Sequence, residues 1–198
     1  MKKFLVYILL FLPFIGLCDK QSQILLEKVS SSIKELGDYK VEFEMSFEGM
    51  NPLEGDFGVS GDKYFFSMDN SSVICDGKTS YQINHSEKEV NIDNADAGLT
   101  GINPSKLFNI NADDYHHSIM GANQLSLVPK DAGLGIGQIV LHIDNQEFLP
   151  TKITYVMLSG GEKIEILVEK IIKLNSKAKV LFQYDKKAFK DYEIIDFR

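Results

Sequence analysis

Chemistry in a new sequence is first sought in its glycine, histidine, cysteine and carboxylate groupings, and here each falls short on spacing. Gly77-Lys78-Thr79 resembles the end of a phosphate-binding loop. Such a loop needs a glycine five residues earlier, where this chain has Ser72, and a long helix after it. The stretch reads instead as a hairpin turn. Gly133-Leu134-Gly135-Ile136-Gly137 has spaced glycines but no following helix to receive a dinucleotide phosphate. Gly58-Val59-Ser60-Gly61 lacks the glycine spacing of a nucleophile elbow. His116 and His117 are neighbours on an expected strand, so their side chains point to opposite faces and cannot share a metal. His85 falls in a turn and His142 on a solvent face. Cys75 alternates with Val73 on an apolar strand and reads as a buried, inert thiol. Asp93, Asp96, Asp113 and Asp114 flank loops, and nothing in their spacing singles out a catalytic pair. The expectation is a protein without catalytic residues, metal or cofactor.

What the chain does offer is apolar surface in a regular pattern. From Leu53 to Ile92 it reads as a ladder of short antiparallel strands separated by turn signals at Ser60-Gly61-Asp62, Asp69-Asn70, Asp76-Gly77 and His85-Ser86. Strand side chains alternate with period two. Phe57 therefore shares a face with Val59, Tyr64 with Phe66 and Met68, Tyr81 with Ile83, and Val90 with Ile92. Such a face is either an ordinary core or a ligand surface, and alternation alone does not decide between them.

The flanking elements follow the same logic. Leu25, Leu26, Val29, Ile33 and Leu36 recur at helical spacing, which predicts a helix over Gln21–Leu36 that Gly37 stops. Tyr39 to Phe47 alternates throughout, with Tyr39, Val41, Phe43, Met45 and Phe47 on one face and Lys40, Glu42, Glu44 and Ser46 on the other. Asn103-Pro104 can cap a two-turn helix carrying Leu107 and Phe108. Strands are expected again at 115–120, 123–128, 138–144, 150–158 and 162–174. Phe182 to Tyr184 is a possible short strand, and 192–197 closes the chain. The fold class is mainly β (α+β): one helix, then a sheet of about 10–11 antiparallel strands. A sheet that wide must curl, close or split.

Met1 to Cys18, with Lys2 and Lys3 ahead of an apolar run, reads as a secretory signal peptide, which leaves one domain over 19–198. The signal holds two lysines and no acid, so the formal charge of −7 becomes −9 without it. Arg198 is the only arginine. An acidic chain without basic clusters argues against nucleic acid and against adhesion to anionic lipid. With Cys18 removed, Cys75 has no disulfide partner. The alternative for Cys18 is lipidation, for which Leu17 is a poor preceding residue.

Taken in order, the N-terminal helix and long strand, EGDFGVSGDKYFFSM, DGKTSYQ, NPSKLF, VLHIDNQEFLPTKITY and FQYDKKAFKDYEIIDFR resemble the LolA family of periplasmic carriers of outer-membrane lipoproteins, in the variant found in Bacteroidetes-type bacteria. The resemblance covers nearly the whole of 19–198. It implies an incomplete β-barrel whose mouth is covered by short lid helices, here bearing Leu107 and Phe108. It implies a hydrophobic cavity for acyl chains, whose wall would be Phe43, Met45, Phe47, Phe57, Tyr64, Phe66, Met68, Tyr81 and Ile83. It further implies a periplasmic monomer that takes acylated lipoproteins from an inner-membrane ABC transporter complex and delivers them to an outer-membrane acceptor or to the membrane itself. Proteobacterial members latch the lid with an Arg-Pro arginine. This chain has Gly61-Asp62-Lys63 there, so Lys63 is the candidate latch, without the planar fork of donors an arginine would bring. A carrier of another lipid or glycolipid, and an envelope binding or sensor module, stay open as alternatives.

Overall fold

The computed structural model describes residues 15–95, 112–131, 133 and 135–198. The helix α1 (Ile15–Leu36) begins earlier than its apolar stripe predicts and runs unbroken past Cys18. Leu26, Val29 and Ile33 form its buried stripe. It ends at Gly37, whose φ of 68° is the left-handed conformation that an achiral residue adopts without penalty. Twelve strands follow: β1 (Tyr39–Phe47), β2 (Leu53–Ser60), β3 (Lys63–Met68), β4 (Ser71–Cys75), β5 (Thr79–Asn84), β6 (Glu89–Asn94), β7 (Tyr115–Gly121), β8 (Gln124–Pro129), β9 (Ile136–Ile143), β10 (Pro150–Met157), β11 (Lys163–Lys173) and β12 (Glu193–Asp196). All twelve join one open sheet in the order β12-β6-β5-β4-β3-β2-β1-β11-β10-β9-β8-β7. The expected short helix over 103–108, with Leu107 and Phe108, lies outside the described residues.

The order explains the shape. Hairpins build two meanders, β1 to β6 and β7 to β11, and the long pairing of β1 with β11 joins them into one surface. Residues opposite each other in the ladders share a face. On the inner face, Val41 opposes Phe57, and Phe57 opposes Phe66. On the other side of β1, Met45 opposes Ile166, then Ile153, Leu141 and Leu125 follow strand by strand. Phe57 of β2 and Leu125 of β8 nevertheless belong to one buried cluster with Leu26, Val29 and Ile33. Five strand spacings of about 4.8 Å separate β2 from β8 along a flat sheet. The sheet is therefore curled around α1 as an incomplete barrel.

Two features depart from the sequence reading. Among the described residues the sheet has twelve strands, against an expectation of about 10–11, and the twelfth is parallel: β12 runs alongside β6 with Ile194 beside Val90. Residues 174–198 do not return by a hairpin. They form an arm that leaves β11 and crosses the outer face of the first meander before reaching β6, and such a crossover sets strands parallel. Within that arm Phe182 ends a 3-10 helix (Ser176–Phe182), and no strand forms over 182–184.

The arm also buries the outer face. Phe65 opposes Ile74, and Ile74 opposes Tyr81, all on the side away from α1. Phe182 packs there, its ring 5.5 Å from that of Phe65. Tyr184, Phe189 and Tyr192 pack on the cluster of Ile83, Val90 and Ile92. Two glycines admit rings at close range. A Cβ on Gly58 would meet Phe65 Cε1 at 2.3 Å, and one on Gly55 would meet Phe43 Cζ at 2.6 Å. Each glycine is the floor on which a neighbouring phenyl ring lies.

Candidate functional site: the inner apolar wall

The register sorts the nine expected wall residues into two groups. Phe43, Met45, Phe47, Phe57, Tyr64, Phe66 and Met68 share the inner face. Tyr81 and Ile83 do not join them. Cys75 opposes Ser80 across the β4–β5 hairpin, so Ser80, Gln82 and Asn84 point inward, and Tyr81 and Ile83 point outward under the C-terminal arm. The wall is thus seven residues wide on β1 to β3, extended by Val73 and Cys75 on β4.

Burial divides those seven further. Phe43, Met45, Phe57 and Tyr64 are buried, whereas Phe47, Phe66 and Met68 are only half-buried. Aromatic contacts tie the two sets together: the Phe43 ring lies 6.0 Å from Phe57 and 5.9 Å from Phe66, stacked on the latter. The helix lies toward the other end of the face, packed on β7 and β8, where Ser22 Oγ is 2.8 Å from His117 Nδ1. Its main contacts among the described residues are thus with β7 and β8 rather than with β2 to β4, although its buried stripe shares one cluster with Phe57. Ala95, the last described residue before 112, packs on Tyr64, Val73 and Cys75 at that end.

Across β5 and β6 the same face turns polar, with Ser80, Gln82 and Asn84 opposite Asp93, Asn91 and Glu89. At this border the Tyr64 hydroxyl, the Ser80 hydroxyl and the Cys75 thiol lie together, closed off from solvent. Burial raises the Tyr64 hydroxyl and the Cys75 thiol above their ordinary pKa values, so both stay neutral at physiological pH. Cys75 is 1% exposed, in keeping with an inert core thiol.

The remaining candidates lie elsewhere. Lys63 opposes Ser60 and is exposed on the outer face, so its ammonium does not face the wall. His116 and His117 point to opposite faces as expected. His85 is more enclosed than a turn histidine should be: Nε2 is 2.9 Å from Ser72 Oγ and Nδ1 is 3.1 Å from Tyr192 Oη. That bond joins β4 to the arm and is structural. Sequence reasoning missed it because Tyr192 is 107 residues away. An open groove of about 420 Å³ on the outer face is lined by Glu42, Glu54, Asp56, Asp69 and Glu169 around Lys40. Lys40 Nζ there is 2.7 Å from Asp56 and 3.3 Å from Glu42, and the Asp56 bond raises its pKa. Among the described residues, no group of three or more His, Cys, Asp or Glu is placed to hold a metal, and no helix is long and apolar enough to cross a membrane.

No family model matches the sequence, and no curated protein matches it. Solved structures match its fold. An uncharacterized conserved protein from Thermus thermophilus aligns over 89% of this chain and 99% of its own, at 10% identity and a TM-score of 0.61. The Pseudomonas aeruginosa MucA/MucB complex aligns over 84% of this chain and 62% of the other, at 15% identity and a TM-score of 0.52. A LolA superfamily protein from Nitrosomonas europaea is among the more distant neighbours, aligned over 82% of this chain and 97% of its own at 12% identity and a TM-score of 0.44. At such identities the likeness is one of fold.

Proposed function

We propose that this protein is a carrier for acylated proteins, holding their acyl chains against the inner apolar wall. One observation carries the reading. The wall runs without a polar break from β11 to β4, yet α1 packs toward its β7 end, and Phe47, Phe66 and Met68 keep part of their surface unburied. Burial of acyl chains recovers about 0.8 kcal/mol per methylene. A chain lying along Phe66 and Met68 would gain on that scale, and methionine adapts to an irregular ligand. The curled open sheet and the LolA-like sequence features support the same reading.

On this reading the protein works in the periplasm. It receives lipoproteins from an inner-membrane ABC transporter complex and passes them to the outer membrane or to an acceptor there. Export would rest on the leader over 1–18. No enzymatic step is proposed. The fold likeness to MucB, solved with MucA, favours a protein-binding module as the second reading.

The test is a binding measurement with the purified chain and a triacylated lipopeptide. The carrier forms a soluble one-to-one complex with the acylated peptide and ignores the same peptide without acyl groups. Equal binding of both overturns the proposal in favour of the second reading.

A further inference from the structure

An acyl chain has an apolar end and a polar end, so a wall that holds it in one direction needs one end closed and the other open. The inner face differs between its two ends in that way. Along β1, Tyr39, Val41, Phe43 and Met45 are buried and Phe47 is half-buried. Along β3, Tyr64 is buried and Phe66 and Met68 are half-buried. The end at Tyr39 and Tyr64 is closed. Ile33 and Leu36 of α1 join the cluster of Tyr39, and Ala95 packs on Tyr64 and Cys75. An end packed like this admits no bulky polar group.

The opposite end is made of hairpin turns. Phe47 opposes Ile164, and Ile164 opposes Tyr155, so the β1–β2 turn (48–52) and the β10–β11 turn (158–162) leave the sheet side by side. Each carries a large apolar residue in solvent: Met50 is 70% exposed and Leu158 is 56% exposed. Scattered exposed apolar side chains are ordinary on a protein surface. These two are not scattered. The Met50 N–H bonds to the Phe47 carbonyl at 3.1 Å, which sets Met50 one turn beyond the last wall residue of β1. Gly137 alternates with Gln138 and so belongs to the inner face with Ile139. A Cβ on Gly137 would lie 3.5 Å from Leu158 Cδ2, which puts Leu158 on that face too. Phe47, Met68 and Ile164 are half-buried at the same end. Apolar surface thus continues from the buried wall out to the two turns.

We infer that this hairpin end is the mouth of the wall: the acyl chain lies with its methyl end toward Tyr64, and Met50 and Leu158 form the rim beside its carbonyl. The inference rests on the carrier reading above and sharpens it. The head group stays in solvent beside the turns, and the wall does not restrict its size. The ligand class is therefore a long acyl chain on a bulky polar group, such as a polypeptide acylated at one residue.

The chain contains no tryptophan, so one introduced indole reports on one position. The probe is a dipalmitoyl lipopeptide brominated either near its methyl ends or near its carbonyls, titrated onto the full chain carrying Met50→Trp or Phe66→Trp. Methyl-end bromine is expected to quench the indole of Phe66→Trp more strongly than that of Met50→Trp, and carbonyl-end bromine to do the reverse. Thermal denaturation checks that both variants fold. Val59→Trp, at a half-buried position nearer the closed end, replaces Phe66→Trp if that variant is unstable. The double variant Met50→Asn with Leu158→Asn should bind the unbrominated lipopeptide about tenfold more weakly, whereas Val180→Asn, at an exposed site on the arm, binds as the wild type does. The reverse quenching order, equal quenching of both indoles, or unchanged affinity in the double variant overturns the inference and leaves the carrier reading standing. Failure of the wild type to bind the lipopeptide overturns the carrier reading and this inference with it.

Discussion

The rings of Tyr81 and Tyr184 stack with centroids 4.2 Å apart and 7° between their planes. Phe189 stacks on the far side of Tyr184 at 5.4 Å, and Tyr192 meets Phe189 edge-on at 5.2 Å. This aromatic file holds the C-terminal arm on the outer face of the first meander. It also means that β3 and β4 carry apolar contacts on both faces, the wall inside and the arm outside, whereas β5 and β6 carry them only under the arm.

Anchoring by the arm should be strong at one residue. Phe182 is 2% exposed and fills the site beside Phe65. Phe182→Ala is expected to destabilise the protein by about 3–5 kcal/mol, as for other buried phenylalanines. Tyr184→Leu keeps bulk but loses the stacking, and about 0.5–1.5 kcal/mol should go with it. Urea unfolding of the two variants measures both; a smaller loss for Phe182→Ala than for Tyr184→Leu would contradict the arrangement.

Gly58 tests the outer packing from the backbone side. The Cβ of Gly58→Ala would lie 2.3 Å from the Phe65 ring, which must tilt and press on Phe182. Overpacking of this kind costs about 1–3 kcal/mol. Pairing the change with Phe65→Leu should recover part of the loss. Additive losses in a double-mutant cycle would show that the two positions do not meet.

The wall and the arm should respond differently to ligand. Phe66→Ser, on the half-buried part of the inner face, is expected to weaken binding of an acylated lipopeptide by at least about tenfold, the equivalent of roughly 1.4 kcal/mol of lost burial. Ile83→Val, on the outer face under the arm, should leave binding within about twofold while costing about 0.5–1.5 kcal/mol of stability. The reverse pattern would move the ligand site to the other side of the sheet.

Acid should loosen the end of the arm. Arg198 donates to both carboxylate oxygens of Asp196, from Nε at 2.9 Å and from Nη2 at 2.7 Å, and Arg198 Nη1 also reaches Thr79 Oγ1 at 3.4 Å. These bonds lower the Asp196 pKa from 3.8 to about 2. A depressed carboxylate stabilises the folded arm above the ordinary value of 3.8, and that contribution is lost as pH falls toward about 2. The group is solvent-exposed, so the effect is local. Hydrogen exchange of the β12 amides should quicken through this window in the wild type and show no such step in Asp196→Asn.

Cys75 should be silent until the sheet opens. Its thiol is buried, and burial raises its pKa. A thiol-alkylating reagent at pH 8 is expected to label it only after denaturation. Rapid labelling of the native protein would place Cys75 at an open surface.

Strand identity was legible from residue order because alternation is local. Tyr39 to Phe47, Lys63 to Met68 and the two rows they present could be assigned by counting, since the period of two is fixed by the backbone. The helix stripe was legible for the same reason. Which strands share a face was not. Parity is lost at every turn, and a shift of one residue in the β4–β5 hairpin exchanges the two sides of β5. The pairing of Cys75 with Ser80 put Tyr81 and Ile83 outside and Ser80 inside, which removed two expected wall residues and supplied a hydroxyl that no motif announced. The arm was hidden for a different reason. Its partners, Tyr81 for Tyr184 and Val90 for Ile194, lie about a hundred residues upstream, and only the closed chain brings them together. Sequence alone determined that this protein has an apolar face to cover. Tertiary structure decided which residues share that face, which are sealed by the arm, and where polar side chains end the wall, because those outcomes depend on register and crossover rather than on any local preference.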